Sequence, residues 1–391
     1  MRTVKSLAVI CTCFLFSVVW QRSANAAQAI PAVAERMKEA VAQNEIAGAV
    51  TLVANKEKIL HLDATGRGDL SSETPLSRDA IFWIASMSKP VTGVAVMMMQ
   101  DEGKLSIDDP VEKYIPEFAN YKNAEGQKAT ITIKHLLTHS SGMPEATSEE
   151  MKSSHTLAEL IPHFLNKPLQ FAPGSKWQYC QSSINTAGRI VEIVSGQSFD
   201  QFVQERIFNP LGMKDTTFYP SEAQAARIAK SYKKADGKLS EAQIFLLDGK
   251  PATSHERYPA ANGGLFSTAL DYASFCQMLL NNGELDGHRI LKPESAKQFS
   301  TVQFPDHKTG FTPGNGWGVG CCIVREPQGV TAMLSPGTFG HGGAYGTQAW
   351  IDPQKNLIYI LMVQRANFPN ADNSEVRKAF QQAAAEALAH P

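Results

Sequence analysis

Ser86 and Lys89 stand three residues apart in Ser86-Met87-Ser88-Lys89, directly after the apolar run Ile81-Phe82-Trp83-Ile84-Ala85 and at the head of a stretch that runs to Gly103. On a helix, that spacing puts the hydroxyl and the amine on one face. A serine is a weak nucleophile until a base takes its proton. A lysine can be that base only if its pKa falls from about 10.4 toward neutrality, and three units of fall cost about 4 kcal/mol. Burial and a helix N-terminus both work against the ammonium, which is the required direction. The same helix end favours the oxyanion of an acyl-transfer intermediate. Pairs at this spacing also arise by chance. A second one, Ser231-Tyr232-Lys233-Lys234, lies in a polar basic stretch with nothing to bury its lysine. Taken alone, Ser86 reads equally well as an ordinary helix N-cap.

Two further groups of residues bear on that choice. Tyr179-Cys180-Gln181 follows Phe171-Ala172-Pro173-Gly174-Ser175-Lys176-Trp177-Gln178 and precedes a helical pattern. A phenol beside a neutral lysine can pass protons to a leaving group; a core tyrosine is the plainer reading. Gly340-His341-Gly342-Gly343-Ala344-Tyr345-Gly346 stands directly before a predicted strand. Its glycines let a substrate approach the backbone, so that strand N–H groups can meet an oxyanion; a Gly-rich turn is the plainer reading. His135, His139 and His155 raise the question of a metal. However, His135-Leu136-Leu137-Thr138-His139 lacks the glutamate that a zinc-protease helix carries between its histidines. Histidines on a helix face or in a loop explain the run better, and the chemistry requires neither metal nor cofactor.

The elements that must position these groups come from both ends of the chain. Ile30, Val33, Met37 and Val41 repeat at helical spacing, and Gly48 to Gly66 holds two β-rich runs split by Lys56-Glu57-Lys58. The other end mirrors this. Thr347 to Asp352 and Leu357 to Gln364 flank Pro353-Gln354-Lys355-Asn356, and Val376, Phe380, Ala384 and Leu388 mark one face of a final helix. Layers of this kind bury their apolar faces most easily on each other. The expected fold is α/β of the α+β type. An antiparallel sheet built from residues 27–104 and 301–391 is flanked by the N- and C-terminal helices, and a largely helical region, 105–300, is inserted between the two. Val91 and Val94 to Met99 make the stretch after Ser86 apolar nearly all round, hence a buried central helix.

Composition fits an enzyme. The 391 residues carry 37 Lys+Arg against 38 Asp+Glu, with 43% hydrophobic and 19% charged residues. That balance excludes a disordered chain and a nucleic-acid binder dependent on a positive field. Residues 1–26 read as a secretory signal: Arg2 and Lys5, an apolar Ser6 to Trp20, then Ala24-Asn25-Ala26 as the cleavage site. An uncleaved anchor is the alternative. With cleavage, the mature chain is expected in the periplasm or outside the cell, without a membrane span. Cys180, Cys276, Cys321 and Cys322 remain. An oxidising compartment permits disulfides without requiring them. Neighbouring cysteines, with Cα atoms about 3.8 Å apart, pair only under strain, so buried thiols are expected.

Ser86-x-x-Lys89, Tyr179-x-Gln181 and His341-Gly342-Gly343, in this order and at these separations, resemble the three motifs of the serine β-lactamase and penicillin-binding protein superfamily. The tyrosine-containing second motif is similar to that of class C β-lactamases, DD-peptidases and β-lactamase-like esterases. The phrases FWIASMSKPVTG, IKHLLTHSSGMP, FAPGSKWQY, IFNPLGM and GTQAWIDP carry the likeness over nearly all of the mature chain. The resemblance implies an acyl-serine mechanism. Ser86 attacks, Lys89 and Tyr179 exchange the proton, the N–H groups of Ser86 and Ala344 form the oxyanion hole, and Gln181, His341, Gly342 and Gly343 contact substrate. Two positions depart from the pattern. Gln181 replaces the usual asparagine, and His341 replaces the usual lysine, whose fixed charge would meet a substrate carboxylate. A histidine near pKa 6.5 is mostly neutral at pH 7. A literal Lys308-Thr309-Gly310 reads as loop, and His341-Gly342-Gly343 is the better third motif. The implied activity is hydrolysis of esters, amides or β-lactams, with an esterase-like preference. The alternative is a slow-turnover penicillin-binding or sensing module, or a DD-peptidase.

Overall fold

The computed structural model describes residues 29–123 and 125–389. The expected signal segment, residues 1–26, lies outside the described residues. Seven strands make one antiparallel sheet: β1 (Gly48–Ala54), β2 (Ile59–Gly66), β3 (Asn315–Trp317), β4 (Cys322–Val324), β5 (Phe339–Gly342), β6 (Gln348–Asp352) and β7 (Leu357–Met362). Their order across the sheet is β2-β1-β7-β6-β5-β4-β3, so the first hairpin docks beside the last strand of the chain.

Alternation along the strands sorts side chains between two faces. Ala49, Val53, Trp350, Tyr359 and Leu361 join Val33, Met37, Phe380 and Ala384 in one apolar layer. These last four residues belong to α1 (Pro31–Ala42) and α5 (Glu375–Ala389), the terminal helices, which pack on each other. Val50, Leu52, Ala349, Ile351, Ile358 and Ile360 face the opposite layer. There, α2 (Ser88–Asp101), α3 (Gln181–Ser195) and α4 (Ala269–Leu280) build a larger core. Both faces are covered, which is why β1, β6 and β7 are buried along their whole length.

Residues 88–99 of α2 are all buried, as expected of a helix apolar all round. The chain does not enter this helix directly at Ser86. Ala85 has a left-handed φ of 46°, Ala85–Met87 forms a tighter 3-10 turn, and regular helix begins at Ser88. The helix backbone also approaches the 318–320 segment closely. A Cβ on Gly93 would collide with the Val319 carbonyl oxygen and lie 3.0 Å from the Phe299 ring.

The second Ser-x-x-Lys run folds as a strand, Ser231–Ala235, paired with Lys238–Ala242. Ser231 Oγ donates to Gln364 Oε1, and Lys234 Nζ pairs with Glu45. At strand spacing, residues three apart point to opposite faces, so the two groups do not meet. Cys180, Cys276, Cys321 and Cys322 are free, buried thiols. No helix among the described residues is long and apolar enough to cross a membrane.

Candidate active site

The turn that carries Ser86 is braced from several sides. Ser88 Oγ donates to the Ala85 carbonyl at 2.8 Å and accepts the Leu265 amide at 3.1 Å. Tyr272 Oη donates to the Met87 carbonyl at 2.7 Å, and Trp83 Nε1 to the Gly263 carbonyl at 2.8 Å. These contacts hold Ala85 in its uncommon backbone conformation and leave Ser86 partly exposed.

Lys89, the second residue of α2, is fully buried. Its Nζ lies 3.0 Å from Ser86 Oγ, 2.9 Å from Gln181 Oε1 and 2.8 Å from the Asn262 carbonyl oxygen. No carboxylate among the described residues forms an ion pair with it. Burial dominates and brings its pKa down to about 7; the fields of Glu145, Cys180 and Asp372 oppose this without cancelling it. Nζ also faces the Tyr179 ring, 4.6 Å from the centroid.

Tyr179 Oη donates to Ser86 Oγ at 2.9 Å. Burial pushes the phenol well above its ordinary value, so it stays protonated at neutral pH. The ring sits in an aromatic nest: His139 at 4.4 Å between centroids, Phe311 at 4.8 Å, Trp317 at 5.9 Å and Trp177 at 6.2 Å. Gln181, two residues on, opens α3. The first amides of that helix are capped from a distant loop: the Glu145 carboxylate accepts from Gln181 N at 2.6 Å and Ser182 N at 2.9 Å. Gln181 Oε1 is held by Lys89 Nζ and by Asn262 Nδ2, the latter at 2.8 Å.

His341, Gly342 and Gly343 arrive on β5 and just past it. Phe339 and Gly340 pair with β4 as well as β6, whereas His341 and Gly342 pair only with β6. The sheet therefore opens beside the serine turn. A Cβ on Gly343 would collide with Thr347 Oγ1 and stand 2.6 Å from the Ile84 carbonyl, so glycine is what lets strand and turn approach. Gly343 N donates to the Thr347 carbonyl at 2.7 Å. The N–H groups of Ser86 and Ala344 have no hydrogen-bond partner among the described residues. His341 is buried against Trp317, with Nδ1 2.6 Å from the Gly342 carbonyl. Burial, then the Lys89 charge, brings its pKa down to about 3. The imidazole is thus neutral throughout the physiological range, more firmly than its type alone suggests.

Other motifs fall elsewhere. Lys308-Thr309-Gly310 lies in a loop; Lys308 is exposed and Thr309 Oγ1 donates to the Asn315 carbonyl at 2.8 Å. His135 Nδ1 accepts the Thr132 amide in a helix cap, and His155 Nδ1 lies 3.0 Å from the Glu256 carbonyl. His139 Nδ1 accepts the Cys180 amide at 3.0 Å, which fixes the chain entering α3 beside Tyr179. Sequence reasoning missed Asn262, Glu145, Phe311 and Trp317. Asn262 precedes a glycine pair, Gly263-Gly264, the one local hint; the other three carry no spacing signal.

The arrangement brings a buried amine and a phenol onto one hydroxyl, with an aromatic wall beside them. Comparison with known proteins gives the family. The β-lactamase family model matches residues 33–384. Protein Rv1367c of Mycobacterium tuberculosis is 34% identical over 350 residues, covering 82% of this chain and 86% of that one. Esterase EstB of Burkholderia gladioli is 28% identical over 357 residues, 84% of this chain and 88% of its own. Among solved structures, EstCE1, a hydrolase with promiscuous acyltransferase activity, superposes with a TM-score of 0.77 at 24% identity, covering 91% of this chain and 98% of that one. The chain is an enzyme that belongs to the β-lactamase family of serine hydrolases.

Proposed function

We propose that the protein is an esterase working through an acyl-serine intermediate. The observation that carries this reading is the triangle of Ser86 Oγ, Lys89 Nζ at 3.0 Å and Tyr179 Oη at 2.9 Å, with an amine poised near pKa 7. Lys89, when neutral, takes the Ser86 proton as Oγ bonds to the substrate carbonyl carbon. The carbonyl electron pair moves onto oxygen, which the Ser86 and Ala344 N–H groups receive. Collapse breaks the bond to the alcohol oxygen, and the proton returns to that oxygen from Lys89 by way of Tyr179. Water then repeats the sequence on the acyl-serine and frees the acid.

The ester preference rests on charge. With a neutral His341 at the third motif, that position supplies no cation for the carboxylate of a β-lactam or a peptidyl-D-alanine. The aromatic wall suits an apolar group, and the name of Esterase EstB points the same way. Gln181 Oε1 is spent on Lys89 and Asn262, leaving its amide NH2 to meet a substrate carbonyl. The basic and apolar start of the chain supports export to the periplasm or beyond.

The test is hydrolysis of 4-nitrophenyl acetate and of a chromogenic cephalosporin by wild type and Ser86→Ala, with intact-mass spectra of acid-quenched samples. The expected result is ester turnover and an acetyl adduct in wild type only. Equal turnover in the alanine variant would end the assignment; faster turnover of the cephalosporin would reverse the preference.

A further inference from the structure

Nine described non-glycine residues have left-handed backbone. Six are Asn or Asp, the types that tolerate it in turns. The other three are Ala85, His139 and Phe311. Ala85 precedes Ser86, and His139 and Phe311 both lie against the Tyr179 ring. Strain held in this way collects at functional sites, where surrounding contacts over-determine it. For a bulky aromatic, a φ of 68° is a clear outlier.

The structure around Phe311 shows what holds it. Its carbonyl accepts Asn370 Nδ2 at 2.8 Å, and the Thr312 amide donates to the Gly310 carbonyl at 3.0 Å. The ring stands edge-on to Tyr179 at 4.8 Å and to Trp177 at 5.9 Å between centroids, yet Phe311 stays 44% exposed. A large apolar side chain is thus kept partly in water, at a backbone cost, directly against the proposed proton donor.

Direction follows from the chemistry. In the tetrahedral intermediate, the oxyanion points to the Ser86 and Ala344 amides, and the leaving oxygen points to Tyr179 Oη. Whatever is attached to the leaving oxygen therefore extends past Tyr179, toward Trp177 and Phe311. We infer that Phe311 is a specificity-determining residue that, with Trp177, receives the alcohol portion of the substrate, and that this portion is aromatic or bulky and apolar. The inference rests on the acyl-serine esterase reading.

The experiment compares methyl acetate with benzyl acetate on wild type, Phe311→Ala and Phe311→Trp. Both esters give the same acetyl-enzyme, so deacylation is common and kcat/KM reports the alcohol side alone. Loss of an aromatic contact predicts that the benzyl-to-methyl ratio of kcat/KM falls about tenfold in Phe311→Ala, mainly through KM, and is kept in Phe311→Trp. An unchanged ratio, or equal loss on both esters in both variants, would overturn the assignment of Phe311. Ester turnover that is unchanged in Ser86→Ala would instead overturn the esterase reading, and this inference with it.

Discussion

Replacing Lys89 with methionine keeps a long apolar stem and removes the amine. In the folded chain, burial holds that amine down to about 7; in the unfolded chain it returns to its ordinary 10.5. Between those values the unfolded wild type binds one proton more than the folded wild type, so its stability rises with pH. One proton amounts to about 1.4 kcal/mol per pH unit, and the whole window to about 5 kcal/mol. The methionine variant lacks this proton, while the other titrating groups are common to both chains. Losing the contacts of Nζ to Ser86, Gln181 and Asn262 shifts the variant by an amount that varies little above pH 7. The informative quantity is therefore the slope. Urea unfolding at pH 7 and pH 9 should move the difference between the two proteins by about 2 kcal/mol in favour of wild type. The same proton should appear in kinetics, with wild-type kcat/KM for an acetate ester rising through about pH 7 to a plateau, and the variant losing about 10²–10⁴-fold. A stability difference that stays flat with pH, or a kinetic limb near 10, would refute burial as the agent that frees the amine.

Tyr179→Phe removes the hydroxyl 2.9 Å from Ser86 Oγ and keeps the ring in its aromatic nest. Steady-state assays should show kcat down by about 10²–10⁴-fold with the melting temperature nearly unchanged; a large loss of stability would mean that the hydroxyl is structural. Gly343→Ala forces a methyl group against Thr347 and the Ile84 carbonyl and so moves the Ala344 amide away from Ser86. Losing one oxyanion donor costs about 10²–10³ in kcat, and a fully active variant would remove Ala344 from the oxyanion hole. Burial keeps His341 neutral down to about pH 3, whereas the unfolded chain protonates it near 6.5, so wild type loses stability as pH falls through that window. His341→Gln should flatten the slope of unfolding free energy against pH by up to about 1.4 kcal/mol per unit between pH 6 and 4; superimposable slopes would mean that the ring is already charged.

Much of this architecture was legible in the residues. Period-2 and period-3.6 patterns suffice for β1 with β2, for β6 with β7 and for both terminal helices, because each buries a face whose spacing is set by local geometry. Ser86, Lys89 and Tyr179 stood out in the sequence only together with His341-Gly342-Gly343, through the order and separation of three motifs; singly, an N-cap serine and a core tyrosine explain them as well. The two Ser-x-x-Lys runs show where the sequence stops. Their spacing is the same, and only the difference between a helix turn and a strand separates a pair 3.0 Å apart from one on opposite faces.

Other features were decided in three dimensions. Asn262, Glu145, Trp317 and Phe311 reach the site from separate segments, and no local period links them to Ser86. The charge states were also undetermined: a lysine near pKa 7 and a histidine near 3 follow from desolvation by the whole surrounding fold. Residue type and spacing specify which groups can react, since these are properties of the chain itself. Which of them meet, and how dry the place is where they meet, depends on contacts between residues far apart in sequence, and these exist only once the chain has packed.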